Sequence, residues 1–263
     1  MRSRVVALIS LGVLIVAGCS SGPVRAAPAE VTVFGAASLK GAVAKVKTAY
    51  ESSHPGTTLA ISTDSSAALE AQIEQGAPAD VFLSADSSNP KKLVDGGFAD
   101  GAAVPFAGNK LTVIVPSANP AGIKTPAGLA MAGVKVIAAG ETVPITRYAA
   151  ELVANLAHEA GYPPNFAAAY AGNLVSREDN VKAVVAKIEL GEGDAAIVYV
   201  TDAKASTKVA SVPVPDHANV TATYAGVVVK ASKEPVAARS FLAWLSGPGG
   251  GAILREFGFL PPS

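Results

Sequence analysis

Val31-Thr-Val-Phe-Gly-Ala-Ala-Ser38-Leu-Lys40 runs from an apolar, strand-type segment through small residues to a serine where an amphipathic helix begins. A strand that turns directly into a helix leaves the first N–H groups of that helix without acceptors, at the positive end of its dipole. With a hydroxyl beside them, those groups make a ready anion site. Thr58-Leu-Ala-Ile61 followed by Ser66 repeats the arrangement. Either serine is equally suited to capping its own helix, so the anion reading depends on donors from elsewhere in the chain.

Outward from this stretch, strand-type and helix-type segments alternate, the pattern of an α/β fold with mainly parallel sheets flanked by helices. Strands are expected at Val31–Ala36, Thr58–Thr63, Val81–Ala85, Lys110–Val115, Val134–Ala139, Ala195–Val200 and Ala225–Val229. Helical spacing joins Leu39, Val43, Val46 and Tyr50, then Leu69 and Ile73, then Tyr148, Leu152 and Leu156, then Val181, Val184, Val185 and Ile188. Phe241, Leu245 and Ile253 belong to a C-terminal helical pair, which Gly247-Pro-Gly-Gly-Gly251 is expected to interrupt. Asn109–Pro116 and Thr223–Lys230 are the candidate crossings between two lobes, one of residues 30–111 with 225–263 and the other of residues 112–224.

The first residues precede this body. Arg2 and Arg4 open the chain, Val5–Val16 is apolar but short for a membrane span, and Val16-Ala-Gly-Cys19 resembles the lipobox of bacterial lipoproteins. Residues 1–18 therefore read as a signal peptide and Cys19 as the lipid-modified start of the mature chain, followed by a linker over 19–30 rich in Pro, Ala, Ser and Gly. A lone cysteine excludes internal disulfides and CxxC redox chemistry. Zero formal net charge argues against a nucleic-acid partner and against gathering an anion by bulk attraction, so any anion site must be local.

Further donors are expected. Val143-Pro144-Ile145-Thr146 opens the third helix with proline suited to its first turn, and Glu178-Asp179-Asn180-Val181 opens the fourth, with Asp179 or Asn180 as cap. The N–H groups of Ile145 and Val181 then point from helix starts, and Tyr199, ending Ala195–Tyr199, brings a phenol to the same cleft or is a partly buried core residue. Catalytic patterns are missing: His54, His158 and His217 match no metal spacing, and there is no GxGxxG, Walker A or GxSxG. The neighbouring carboxylates Glu178 and Asp179 are explained by capping.

These residues, together with Gln72–Asp80, Val81–Asp86, Gly108–Pro116 and Phe257-Gly-Phe259, resemble the molybdate-binding proteins of bacterial ABC importers, within the type II periplasmic-binding-protein superfamily. The resemblance spans Val31 to Leu260. It implies a two-lobed fold with two hinge crossovers, and capture of molybdate or tungstate by hydrogen bonds alone. Ser38 and Ser66 would each supply a hydroxyl and an N–H, Ile145 and Val181 an N–H, and Tyr199 its hydroxyl. It further implies no cofactor and no turnover, a membrane permease and an ATPase as partners, a monomeric body lipid-anchored outside the cell membrane, and no metal beyond the oxyanion. This chain has Ile145-Thr146 where the family has Ala-Gly, which brings an additional hydroxyl to that loop; Asp64 is expected to cap a helix or face water. The alternatives are a binder of sulfate or another tetrahedral oxyanion, an enzyme on the same scaffold, which would need a base or nucleophile in the cleft, and a surface adhesin.

Overall fold

The computed structural model describes residues 28–262. The signal peptide, Cys19 and most of the linker lie outside the described residues. In chain order the elements are β1 (Ala29–Ala36), a 3₁₀ turn (Ala37–Leu39), α1 (Lys40–Ser53), β2 (Thr57–Asp64), α2 (Ser66–Glu74), β3 (Val81–Ser84), α3 (Ser88–Asp95) and β4 (Val104–Pro116). A second 3₁₀ turn (Pro126–Ala130) precedes β5 (Val136–Ala139), α4 (Pro144–Leu156), α5 (Phe166–Gly172), β6 (Leu174–Glu178), α6 (Val181–Glu189) and β7 (Ala195–Tyr199). The chain closes with α7 (Val200–Lys204), β8 (Val209–Val212), β9 (Thr221–Val228), α8 (Pro235–Ser246) and α9 (Pro248–Glu256).

The strands join in the order β2-β1-β3-β9-β4-β7-β5-β6, with β8 paired to β4. Within each half the pairing is parallel, β1 with β2 and β3, and β5 with β6 and β7. The strands at the middle are antiparallel. Strand β4 changes partner along its length: Val104–Lys110 pairs with β9, and Leu111–Ile114 pairs with β7. Both expected crossing segments thus fall on β4 and β9, side by side. Helices cover the sheet through their apolar stripes, Ala42, Val46 and Tyr50 on α1, and Val184, Val185 and Ile188 on α6. All five residues of β7 are buried, as expected of a strand covered on both faces.

The structure adds elements that periodicity did not reveal. β6 and β8 are strands of only five and four residues, too brief to show a period; α3 and α7 are short and polar, and α5 is a seven-residue run of mostly alanine with no apolar stripe to set it apart. The glycine run is also corrected. The interruption of the C-terminal pair is narrower than expected: only Gly247 separates α8 from α9, and Gly249–Gly251 lie inside α9. A Cβ on Gly250 would sit 2.4 Å from Leu245 Cα, so glycine here lets α9 pack against the end of α8. Gly226 serves the sheet in the same way, since a Cβ there would lie 3.0 Å from the Phe82 carbonyl oxygen.

Candidate functional site

Four chain segments reach one place by ending strands and starting helices. Ser38 sits in the 3₁₀ turn between β1 and α1, Ser66 is the first residue of α2, Ile145 the second of α4, and Val181 the first of α6. First-turn N–H groups have no acceptor within their own helix. Three helices, α2, α4 and α6, therefore aim free donors and the positive ends of their dipoles at a common centre. Tyr199 enters from the end of β7.

These five residues line one narrow cavity of about 10 Å³. Its remaining wall is Ala36, Ala37, Ser65, Ala85, Val143, Pro144 and Asn180, so no charged side chain lines it. Every site residue expected from the sequence is thus brought together. Neither serine stands at a helix cap: the cap positions of α1 and α2 are Leu39 and Ser65.

Each hydroxyl has a defined environment. Ser66 Oγ accepts from the Ala85 N–H at 3.0 Å. That N–H is held by a stapled loop, in which Asp86 accepts from Ser84 Oγ (2.8 Å) and from the backbone of Asn89 (3.0 Å). Ser38 Oγ lies 2.8 Å from the Tyr224 hydroxyl. Tyr199 is 1% exposed, yet its hydroxyl has no hydrogen-bond partner among the described residues. An unpaired buried hydroxyl is costly, and this one borders the cavity. Burial first, then the neighbouring Tyr224 and Tyr148 phenols and Asp202, push the Tyr199 pKa well above its ordinary value. Tyr199 therefore stays neutral, with a proton to donate.

Asn180 caps α6, its Oδ1 accepting from the Ala183 N–H at 3.1 Å. Its Nδ2 donates to Asp64 Oδ1 at 3.0 Å, and the same oxygen accepts from the Ser65 N–H at 2.7 Å. Asp64 is thereby engaged outside the cavity wall. Thr146 brings no hydroxyl to the cavity: its Oγ1 donates to the carbonyls of Ala139 (3.0 Å) and Gly140 (2.8 Å), tying the start of α4 to β5. Glu178 does not cap α6, but pairs with Lys187 at 3.2 Å.

Sequence reasoning missed Tyr224 and Asn109. Asn109 Nδ2 donates to Thr201 Oγ1 at 2.8 Å and to the Tyr224 hydroxyl at 3.3 Å, and Asn109 and Tyr224 are both fully buried. The available signal was two polar side chains inside the predicted crossing strands. Their partners, distant in sequence, could not be read.

Comparison with known proteins agrees with this architecture. The family model for bacterial extracellular solute-binding proteins matches residues 31–260. The molybdate-binding protein ModA of Mycobacterium tuberculosis H37Rv is 31% identical over 259 residues, covering 98% of this chain and 94% of that one. Escherichia coli ModA is also 31% identical, over 91% of this chain and 92% of its own. Among solved structures, the periplasmic molybdate-binding protein of Azotobacter vinelandii superposes with a TM-score of 0.73 at 26% identity, covering 89% of this chain and all of that one.

Proposed function

The chain belongs to the bacterial extracellular solute-binding proteins, and from that premise we propose that it captures molybdate, and tungstate as well, for an ABC importer. One observation carries the reading: the buried Tyr199 hydroxyl has no partner and borders a cavity walled by Ser38, Ser66 and the first turns of α4 and α6. A dianion there would satisfy the phenol and the helix N–H groups together. Charge-assisted hydrogen bonds and helix dipoles would offset its loss of hydration. A paired cation is not needed. Relatives named as molybdate-binding proteins support the choice of anion.

In this reading Ser38, Ser66, Ile145, Val181 and Tyr199 are the ligand set. Residues 30–111 with 225–263 and residues 112–224 are lobes that close on the anion by bending at β4 and β9. The protein turns over no substrate and needs no cofactor. It works as a monomer, held at the outer face of the cell membrane by lipid on Cys19, and delivers its cargo to a permease driven by an ATPase. Cys19→Ser is expected to release it from the membrane fraction; a variant retained there would refute the anchor.

Titration calorimetry with an anion panel tests the ligand. Molybdate and tungstate should bind tightly, and sulfate and phosphate far more weakly. Sulfate binding as tight as molybdate would transfer the assignment to sulfate, the competing tetrahedral anion.

A further inference from the structure

The hydroxyl of a serine can give or take a proton, and a cavity built to hold a fully deprotonated oxyanion needs it to give. Ser66 is free to give, because the hydrogen bond it makes to the Ala85 N–H is one it accepts and leaves its own proton unused. Tyr199 is committed to giving because no acceptor among the described residues reaches its hydroxyl, so its proton can be satisfied only in the cavity. Among the described residues the Ser38 hydroxyl has one hydrogen-bond partner, Tyr224, and the direction of that hydrogen bond decides its role.

Asn109 sets that direction. As oriented, its amide gives both Nδ2 protons to oxygens, one to Thr201 and one to Tyr224, and leaves only Oδ1 without a partner. Turning the amide over would instead strand both N–H groups in the interior. Buried N–H groups without acceptors are rarer than under-used carbonyl oxygens. The Tyr224 oxygen therefore accepts from Asn109. Its own proton is then free to go to Ser38, 2.8 Å away, and the Ser38 proton is left for the cavity.

Building on the oxyanion reading above, we propose that Tyr224, oriented by Asn109, is a positioning residue that fixes the Ser38 hydroxyl as a donor and so selects oxyanions that carry no proton. Three hydroxyls then face the ligand as donors for three separate reasons. An anion that keeps a proton near neutral pH, such as hydrogen phosphate, meets no acceptor. Asp64 does not line the cavity, and its Oδ1 accepts from Ser65 and Asn180.

The test is titration of the intact protein with molybdate and with inorganic phosphate, comparing wild type, Tyr224→Phe, Ser38→Ala and the double variant. Tyr224→Phe should weaken molybdate binding about tenfold, the scale of one hydrogen bond to a charged ligand. It should also narrow the preference for molybdate over phosphate, because the Ser38 hydroxyl, no longer held by Tyr224, can turn to accept. In the Ser38→Ala background the same substitution should change neither quantity. A general loss of packing would weaken both anions alike and leave the preference intact. Asn109→Leu, which removes the donor to Tyr224, should narrow the preference in the same sense and serves if Tyr224→Phe fails to fold. Wild-type binding of molybdate with an unchanged preference in Tyr224→Phe and Asn109→Leu would overturn this inference and spare the proposed function. Failure of the wild type to bind any tetrahedral oxyanion would overturn both.

Discussion

Asn180 Nδ2 donates to Asp64 Oδ1 at 3.0 Å, joining the cap of α6 to the end of β2 over a sequence distance of 116 residues. The same Asn180 side chain caps α6 through its Oδ1. One amide therefore holds the helix whose first N–H faces the cavity and ties it to the opposite wall. The two roles can be separated. Asn180→Ser keeps a good cap but is too short to reach Asp64, whereas Asn180→Ala loses both. Thermal unfolding should place the alanine variant about 1 kcal/mol below the serine variant. Both should release molybdate roughly fivefold faster in stopped-flow, the worth of about 1 kcal/mol.

Ser38→Ala and Ser66→Ala should each cost about 1.5–3 kcal/mol of anion affinity by calorimetry, the range for a hydrogen bond to a charged group. Unchanged affinity in both would move the site elsewhere.

Tyr199→Phe separates stability from function. Its hydroxyl is buried without a protein partner, so the unliganded variant should be more stable than wild type by about 1 kcal/mol. Affinity should fall in the same variant. Calorimetric unfolding with and without molybdate reads both effects.

Asp202 is 0% exposed, with the Lys182 ammonium 2.8 Å from its Oδ1. Burial pushes the Asp202 carboxyl above its ordinary 3.8, and Lys182 pulls it back. Lys182→Met should destabilise the protein by roughly 3–5 kcal/mol at neutral pH, the cost of an uncompensated buried charge. The folded state of this variant holds the Asp202 proton more tightly than the unfolded chain does. Stability should therefore be best preserved at or below pH 3.8 and fall as pH rises above it. Urea titrations of both proteins across acid and neutral pH check the sign.

Gly250→Ala places a Cβ 2.4 Å from Leu245 Cα. The backbone of α8 cannot yield cheaply, and the loss should be about 1–3 kcal/mol in chemical denaturation, the cost of overpacking. Anion affinity should stay unchanged, because α8 and α9 contribute nothing to the cavity wall.

Much of the site was legible because its donors are local features. Strand end, small residues and helix start are neighbours in sequence, so Ser38, Ser66, Ile145 and Val181 announce themselves through spacing. Tyr199 was visible as the last residue of an apolar strand, with two open readings, and its unpartnered buried hydroxyl is what favours the ligand reading proposed above. Thr146 misled because a hydroxyl at a helix start looks the same in sequence whether it faces a ligand or the carbonyls of Ala139 and Gly140. The glycine run misled for a related reason: flexibility predicts a break, whereas close helix packing requires the same residue.

The sequence by itself determined the alternation of strands and helices and where the helices α2, α4 and α6 start. Each follows from periodicity or from chemistry within a few residues. Tertiary structure alone decided which partners the buried side chains meet. Ser38 meets Tyr224 across 186 residues, and Asn180 meets Asp64 across 116. A hydrogen bond acquires its direction from the partner that packing delivers, and no local pattern encodes that partner.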